Sequence, residues 1–128
     1  MSLRPGCCFR IRKGATLNIG NNVAFNNNCV LTCRDGITIG DNTNIGPNCS
    51  IFDHDHDYAS GDRFNHFKTG SIKIGKNVWI GANVSILKGS VIGDNCVVGA
   101  GSVVKGHFDC NTLIVGNPAI AKKRYNVL

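Results

Sequence analysis

Large apolar residues recur at every sixth position along most of this chain. The first series begins at Ile19 and slips by two residues at Ile37, and a second series runs from Ile74 without a break. The anchors are Ile19, Phe25, Leu31, Ile37, Ile39, Ile45, Ile51, Ile74, Ile80, Ile86, Ile92, Val98 and Val104. This period matches neither the 3.6-residue stripe of an amphipathic helix nor the simple alternation of a hairpin strand.

A small residue follows many anchors four positions later, with Gly and Asn between them. The members of this set are Val23, Cys29, Thr43, Cys49, Val78, Val84, Ser90, Cys96 and Ser102. Such six-residue units are typical of a β-helix, in which each unit forms a short strand and three units complete a triangular coil. Anchors of successive coils then stack into ladders that fill the interior. The doublets Leu17/Ile19, Ile37/Ile39 and Ile72/Ile74 predict two added residues at the end of a coil.

The composition agrees with an all-β core. The chain has 128 residues, with no Glu, no Gln and 16 each of Gly and Asn. Asn, Asp and Gly favour turns, and straight-chain helix formers are scarce. The length fits one domain. We expect residues 1–128 to be a single domain, with an N-terminal segment and first partial coil at 1–16 and a C-terminal cap at 107–128.

One segment, residues 52–71, interrupts the repeat. Its sequence is FDHDHDYASGDRFNHFKTGS, which has no apolar anchor at position 57 or 63 and holds three of the four histidines. Long loops on rigid scaffolds commonly carry function. We therefore expect this segment to protrude from a corner of the coil as an active-site loop.

Positive charge is concentrated in the second half of the chain. The net charge is +6, and residues 1–63 carry as many Asp as Lys plus Arg, so residues 64–128 hold the whole excess. A basic half suits nucleic acid, an anionic membrane or a phosphorylated small ligand. No aromatic residues alternate with the basic ones for base stacking, and no apolar run approaches the length of a membrane span. We expect no nucleic acid partner and no membrane insertion, so a small phosphorylated ligand or a plain solvated face remains.

The seven cysteines are an odd number and include no CxxC pair of the kind that binds zinc. Three of them, Cys29, Cys49 and Cys96, occupy the small-residue positions of the repeat. We expect them to pack as compact apolar side chains. Reduced thiols indicate a cytoplasmic protein, and no metal site is predicted.

Three stretches carry a resemblance to a known family: ITIGDNTNIGPNCSI, SIKIGKNVWIGANVSILKGSVIGDNCVVGAGSVVKG and IVGNPAIAKKR. Over about residues 17–124 the sequence resembles the hexapeptide-repeat acyltransferases, and within them the sugar O-acetyltransferases of the maltose, galactoside and capsule type. The resemblance implies a left-handed parallel β-helix and a homotrimer with active sites between subunits. It also implies acetyl-CoA as the donor, a hydroxyl of a sugar or related small molecule as the acceptor, and a role in polysaccharide biosynthesis.

The resemblance also assigns candidate site residues. His56 lies five residues after Ile51, at the family's position for the catalytic histidine, and His54 is the alternative. Asn26 and Trp79 correspond to residues that bind the acceptor or line the cleft. The residues expected to contact coenzyme A or the oxyanion are Gly81, Ala82, Gly99, Ala100, Lys105, Lys122, Lys123 and Arg124; among them, the N–H of Gly81 or Ala82 is the candidate oxyanion donor.

The chemistry requires a base, because a neutral alcohol is a poor nucleophile at pH 7. Imidazole suits this role, since its ordinary pKa is about 6.5. We expect the histidine to remove the hydroxyl proton as the oxygen attacks the thioester, with no acyl-enzyme. One of Asp53, Asp55 and Asp57 would orient the ring, or these charges only keep an exposed loop soluble.

Two other functions remain open at this point. The γ-class carbonic anhydrases are also trimeric β-helices, with zinc bound by histidines, and DHDHD with His66 nearby is chemically suited to zinc. Their His-x4-His spacing is absent, because His54, His56 and His66 are two and ten residues apart. The other alternative is a non-catalytic trimeric scaffold.

Overall fold

The computed structural model describes residues 1–127, and within this range the chain forms strands and no helix. The strands are β1 (Ser2–Leu3), β2 (Cys8–Ile11), β3 (Thr16–Ile19), β4 (Ala24–Phe25), β5 (Val30–Cys33), β6 (Gly36–Ile39), β7 (Asn44–Ile45), β8 (Ser50–Phe52), β9 (His54–His56), β10 (Phe67–Thr69), β11 (Ile72–Ile74), β12 (Trp79–Ile80), β13 (Ser85–Ile86), β14 (Val91–Ile92), β15 (Val97–Val98), β16 (Val103–Val104), β17 (His107–Phe108), β18 (Thr112–Gly116) and β19 (Ala119–Arg124). No segment of this range is a helix that could span a membrane.

Three parallel sheets form the faces of a triangular β-helix. Sheet A has the order β1-β4-β7-β12-β15-β18, and β19 pairs antiparallel at its end. Sheet B has the order β2-β5-β8-β13-β16, and sheet C has the order β3-β6-β11-β14-β17. Each of the first five coils contributes one strand to each sheet, and β18 begins a sixth in sheet A, which gives a solenoid of about six turns. The predicted all-β fold, a left-handed parallel β-helix of hexapeptide repeats, is confirmed.

The strand register explains the six-residue period. Trp79 pairs with Val97, eighteen residues or three repeats further along the chain. Ile80, the next residue, therefore stacks on Val98 in one neighbouring coil and on Ile45 in the other. The predicted anchors and all nine small residues are buried, apart from one anchor. That exception is Ile19, which is only partly buried because β3 is the edge strand of sheet C and pairs with β6 alone among the described strands.

The three predicted doublets lie in one sheet. Strands β3, β6 and β11 pair side by side in sheet C. Their rows are Leu17, Ile37, Ile72 and Ile19, Ile39, Ile74. The two extra residues are therefore added on the same face in each of the first three coils, so the phase restarts without disturbing the ladders.

Asparagine at the corners adopts a left-handed backbone. Eight asparagines have φ between 54° and 63°: Asn22, Asn28, Asn42, Asn48, Asn77, Asn83, Asn95 and Asn111. Apart from glycine, Asn tolerates this region best, because its short polar side chain bonds locally. Neighbouring corners also join through their amides, as Asn77 Nδ2 donates to Asn95 Oδ1 at 3.3 Å. The corners thus account for half of the 16 asparagines in the chain.

Replacing a corner asparagine by alanine is expected to destabilise the fold. At Asn83, where φ is 58°, Ala should lower the free energy of unfolding by about 1–2 kcal/mol, and Gly should be tolerated better. Asn18→Ala is the control, because Asn18 is exposed on β3 and has no positive φ. Urea unfolding measures both; equal losses at the two positions would contradict the explanation.

The interruption at 52–71 leaves the coil after β8 and returns at β11. Inside it β9 and β10 pair as an antiparallel hairpin, which departs from the corner between sheets B and C. At the chain ends, residues 1–16 include β1 and β2 of the first coil, and the part of 107–128 that the structure describes includes β17, β18 and β19. The hairpin is the only described excursion from the stacked coils between residues 17 and 106.

Candidate functional site

The hairpin presents its histidines from a closed base. His56 lies opposite Phe67 in the pairing of β9 with β10. At the base, the N–H of Gly70 donates to the carbonyl of Asp53 at 2.9 Å. Because this Gly70–Asp53 hydrogen bond lies beside the coil, the position of the histidines depends on how this end of the hairpin is attached to the coil.

A buried carboxylate attaches the base of the hairpin to the preceding coil. Asp53 accepts the N–H groups of Arg34, Asp35 and Gly36, each at 2.8 Å, and its Oδ1 lies 3.2 Å from His54 Nδ1. Burial alone would raise the pKa of Asp53, but these hydrogen bonds outweigh burial and the pKa is lowered. Its stabilising contribution is present above the pKa of an unfolded Asp and is lost as pH falls through the lower folded pKa.

The two loop histidines differ in exposure and in partner. The side chain of His54 is 15% exposed, and its Nδ1 faces Asp53. His56 is exposed, and its Nδ1 lies 3.0 Å from the backbone carbonyl of Arg63. A carbonyl only accepts hydrogen bonds, so in the neutral ring of His56 the hydrogen is on Nδ1 and the lone pair is on Nε2. His56 therefore combines solvent access with the tautomer that a general base needs.

Phe67 packs against both imidazoles and against a guanidinium. Its ring centroid is 4.7 Å from that of His56 and 5.8 Å from that of His54. The Cζ atom of Arg34 lies 3.5 Å from the centre of the Phe67 ring. Sequence reasoning missed both Arg34 and Phe67, because neither belongs to a motif and their contact joins two different coils.

A groove of about 310 Å³ lies on sheet A, on another face of the triangle. Its lining includes Arg4, Asn26, Asn44, Gly46 and Trp79. Trp79 is 62% exposed and stands on the outer side of β12, so it is not a core residue. The structure thus brings together Asn26 and Trp79, which were predicted separately, and adds Arg4 and Asn44.

The hairpin and the groove do not meet within one subunit. No residue of the hairpin loop, 52–71, is among the described residues that line the groove. The loop leaves from the corner between sheets B and C, and sheet A is the face opposite that corner. His56 and Trp79 therefore lie on opposite sides of the triangle in a single chain.

Four of the residues expected to contact coenzyme A lie on one corner, between sheets A and B. Gly81 and Ala82 follow β12, and Gly99 and Ala100 follow β15 in the next coil. A Cβ atom on Gly81 would lie 2.8 Å from the backbone nitrogen of Ala100, so the coils approach closely here. The Gly81 N–H donates to the carbonyl of Val98 at 2.8 Å. This N–H is therefore already used in the sheet, which favours Ala82 over Gly81 as the candidate oxyanion donor.

The four basic residues expected to bind coenzyme A do not form one cluster. Lys122, Lys123 and Arg124 are exposed on β19 at the end of sheet A. Arg124 donates from Nη2 to the carbonyl of Cys110 at 3.0 Å, and its Nη1 is 3.8 Å from Asp109. Lys105 follows β16 and lies at the corner between sheets B and C. Within a single subunit, Lys105 therefore lies apart from the other three basic residues.

Four of the seven cysteines are buried packing residues, namely Cys29, Cys33, Cys49 and Cys96, and no disulfide joins any of the seven. All seven are free thiols. Burial is the main cause that raises the pKa of Cys29 and of Cys33 to about 11, so both stay protonated and unreactive at neutral pH. Among the residues that the structure describes, no three His, Cys or Asp side chains of the chain lie close enough together to hold a metal ion.

Comparison with protein families identifies the repeat directly. The family model "Bacterial transferase hexapeptide (six repeats)" matches residues 71–106, and "Hexapeptide repeat of succinyl-transferase" matches residues 36–51. The galactoside O-acetyltransferase of Escherichia coli (strain K12) is 37% identical, over 88% of this chain and 56% of that protein. The chain spans 52–59% of the length of the first curated relatives that it matches.

Two solved structures each match nearly the whole of this chain. A maltose O-acetyltransferase from Clostridium difficile 630 has a TM-score of 0.84 and 34% identity, covering 99% of this chain and 68% of that chain. A hexapeptide-repeat acetyltransferase from Vibrio cholerae O1 biovar eltor, solved with acetyl coenzyme A, has a TM-score of 0.82 and 32% identity, covering 98% and 72%. Both likenesses extend over the hairpin and the groove of this chain.

Proposed function

The chain belongs to the hexapeptide-repeat acyltransferases, and on that basis we propose that it transfers an acetyl group from acetyl-CoA to a hydroxyl of a sugar or related small acceptor. The observation that carries this proposal is His56, an exposed imidazole whose Nδ1 is held by the Arg63 carbonyl so that Nε2 carries the lone pair. A base of this kind is what transfer to a neutral alcohol requires.

In the proposed assembly the chain is a homotrimer, and His56 of one subunit faces the groove of its neighbour. The separation of hairpin and groove supports this arrangement, because each subunit then supplies the half-site that the next one lacks. Asn26 and Asn44 would orient the acceptor by hydrogen bonds. The exposed indole of Trp79 would pack on the apolar face of a sugar ring.

The proposed reaction is a direct transfer. Nε2 of His56 removes the proton from the acceptor hydroxyl as its oxygen attacks the thioester carbon. The carbon–sulfur bond then breaks, the acetyl group stays on the acceptor oxygen, and the proton passes from His56 to the leaving thiolate of coenzyme A. The N–H of Ala82 remains the candidate donor to the oxyanion at this stage.

Coenzyme A would lie along the corner between sheets A and B. The Gly81–Ala82 and Gly99–Ala100 pairs carry little side-chain bulk, so the pantetheine arm approaches the backbone there. Exposed Lys122 and Lys123 would contact the nucleotide phosphates, and Arg124 lies beside them. Lys105 would contribute from the corner between sheets B and C. A cytoplasmic location, where thiols stay reduced, is part of this proposal and is consistent with the seven free cysteines.

Acetyl-CoA turnover with a panel of neutral, amino and acidic sugars tests the function. We expect release of free coenzyme A thiol that depends on the acceptor, with one acetyl group gained by that acceptor in mass spectrometry. Treatment with a chelator should leave the rate unchanged, because no step uses a metal. Zinc-dependent hydration of carbon dioxide, or acceptor-independent thiol release alone, would contradict the proposal.

A further inference from the structure

We propose that Asp53, together with the corner formed by residues 34–36, positions His56 for proton transfer. The inference rests on the proposed function, since it adds a positioning residue to the same site. Asp53 hydrogen-bonds to His54 and to the preceding coil, and it acts on His56 only through the hairpin. The corner 34–36 and Asp53 together form the hairpin lock.

The first attachment of the hairpin lock is the buried charge. The carboxylate of Asp53 is fully buried and accepts three backbone N–H groups from 34–36 at 2.8 Å, so the anion and its donors depend on each other. Hydrogen bonds to a buried carboxylate are stronger than neutral ones. The carbonyl of Asp53 also accepts the N–H of Gly70, which closes the hairpin. One residue therefore joins both hairpin strands to the preceding coil.

The second attachment lies at the level of His56. Arg34, whose N–H binds Asp53, also places its guanidinium over Phe67 at 3.5 Å. Phe67 is the cross-strand partner of His56, and their rings are 4.7 Å apart. A cation over an aromatic face is attractive, and cross-strand pairs stabilise each other. The same corner thus contacts the hairpin at two levels. One is the closed end at Asp53, and the other is beside the imidazole of His56.

The hairpin needs such attachments because it is short. Each of its strands has three residues, and an isolated two-stranded hairpin is marginally stable at best. A general base works only within hydrogen-bond reach of its proton, and a misplacement of about 1 Å can cost about 10²-fold in rate. Loss of the lock should therefore lower the rate of transfer without changing the affinity for the donor.

Asp53→Asn is the direct test. The amide keeps one acceptor oxygen, but its NH₂ group would face N–H donors of the corner. Hydrogen bonds between residue 53 and the corner 34–36 are therefore lost without a large change in side-chain volume. The rate is normalised to the number of coenzyme A sites counted by isothermal titration, because partial unfolding lowers that number and leaves the rate per site unchanged. We expect kcat per site to fall about 30- to 100-fold, with KM for acetyl-CoA within about twofold.

Asp55→Asn is the matched control. Asp55 lies on β9 between the two histidines, but it is exposed, and its carboxylate is 3.7 Å from Lys88 Nζ. An exposed ion pair contributes little, so we expect kcat per site within about twofold of wild type. Equal losses in Asp53→Asn and Asp55→Asn, or an unchanged kcat per site in Asp53→Asn, would overturn the inference.

Arg34→Gln keeps the test decisive if Asp53→Asn does not fold. It retains the backbone N–H groups of the corner and removes the guanidinium from Phe67, so we expect a fall in kcat per site of about 3- to 10-fold; no change would overturn the inference. The proposed function fails separately: if His56→Ala stays active, the base assignment is wrong, whereas an inactive His56→Ala beside a fully active Asp53→Asn removes only the positioning role.

Discussion

His56→Ala is expected to lower kcat for acetyl transfer by about 10²- to 10⁴-fold, the range that general-base catalysis contributes. KM for acetyl-CoA should change little, because the ring removes a proton from the acceptor and does not bind the donor in the proposed reaction. Steady-state assays with an acceptor identified in the sugar panel measure both constants. His56 is exposed, so its loss should leave the thermal midpoint of unfolding close to that of wild type.

His54→Ala is the comparison that assigns the base. The ring of His54 is largely buried and its Nδ1 faces Asp53, so removing it leaves an unfilled space beside a buried charge. We expect a smaller fall in kcat than for His56→Ala, together with a lower thermal midpoint. The opposite order, with His54→Ala the less active and His56→Ala near wild type, would transfer the base role to His54.

Leu31→Ala is expected to have the largest effect on stability. Leu31 is fully buried and stacks between Phe9 of the first coil and Ile51 of the third. Removing its side chain deletes buried apolar contacts and leaves a cavity that the stacked coils on either side cannot fill. Large-to-small changes of this kind lower the free energy of unfolding by about 2–5 kcal/mol. Urea unfolding followed by circular dichroism measures the change.

The neighbouring residue supplies a control on the same strand. Val30 points outward from β5 and is 42% exposed. Val30→Ala therefore removes little buried surface, and we expect a loss below about 1 kcal/mol, mostly from reduced strand propensity. Similar losses at positions 30 and 31 would mean that the ladder is not the main source of stability.

The coil could be predicted from the sequence because one repeating pattern specifies both burial and register. An anchor such as Ile80 must lie inside when every third repeat brings an equivalent residue above and below it. The pattern failed only at Ile19, whose spacing is correct but whose coil has a neighbour on one side only. The burial of a residue in a terminal coil depends on what packs against that coil, and the six-residue period carries no information about this.

The candidate site was less accessible to sequence analysis, because its contacts cross between coils. Three aspartates alternate with the histidines, and nothing in DHDHD distinguishes Asp53 from Asp55 and Asp57. The distinction comes from the corner at 34–36, about one coil earlier in the chain, which offers three N–H groups to the first of them. Residues about one coil apart in sequence are neighbours in space. Examining the residues at that separation from Asp53 would therefore have pointed to Arg34.

Because Trp79 lies on an outer face, its intrinsic fluorescence can report on the groove without an added label. It is the only tryptophan of the chain, and it is largely exposed to solvent. Its fluorescence therefore responds to whatever displaces water from the groove, such as an acceptor or an adjoining subunit. Because the indole does not touch the interior ladders, its emission separates occupancy of the groove from melting of the coil.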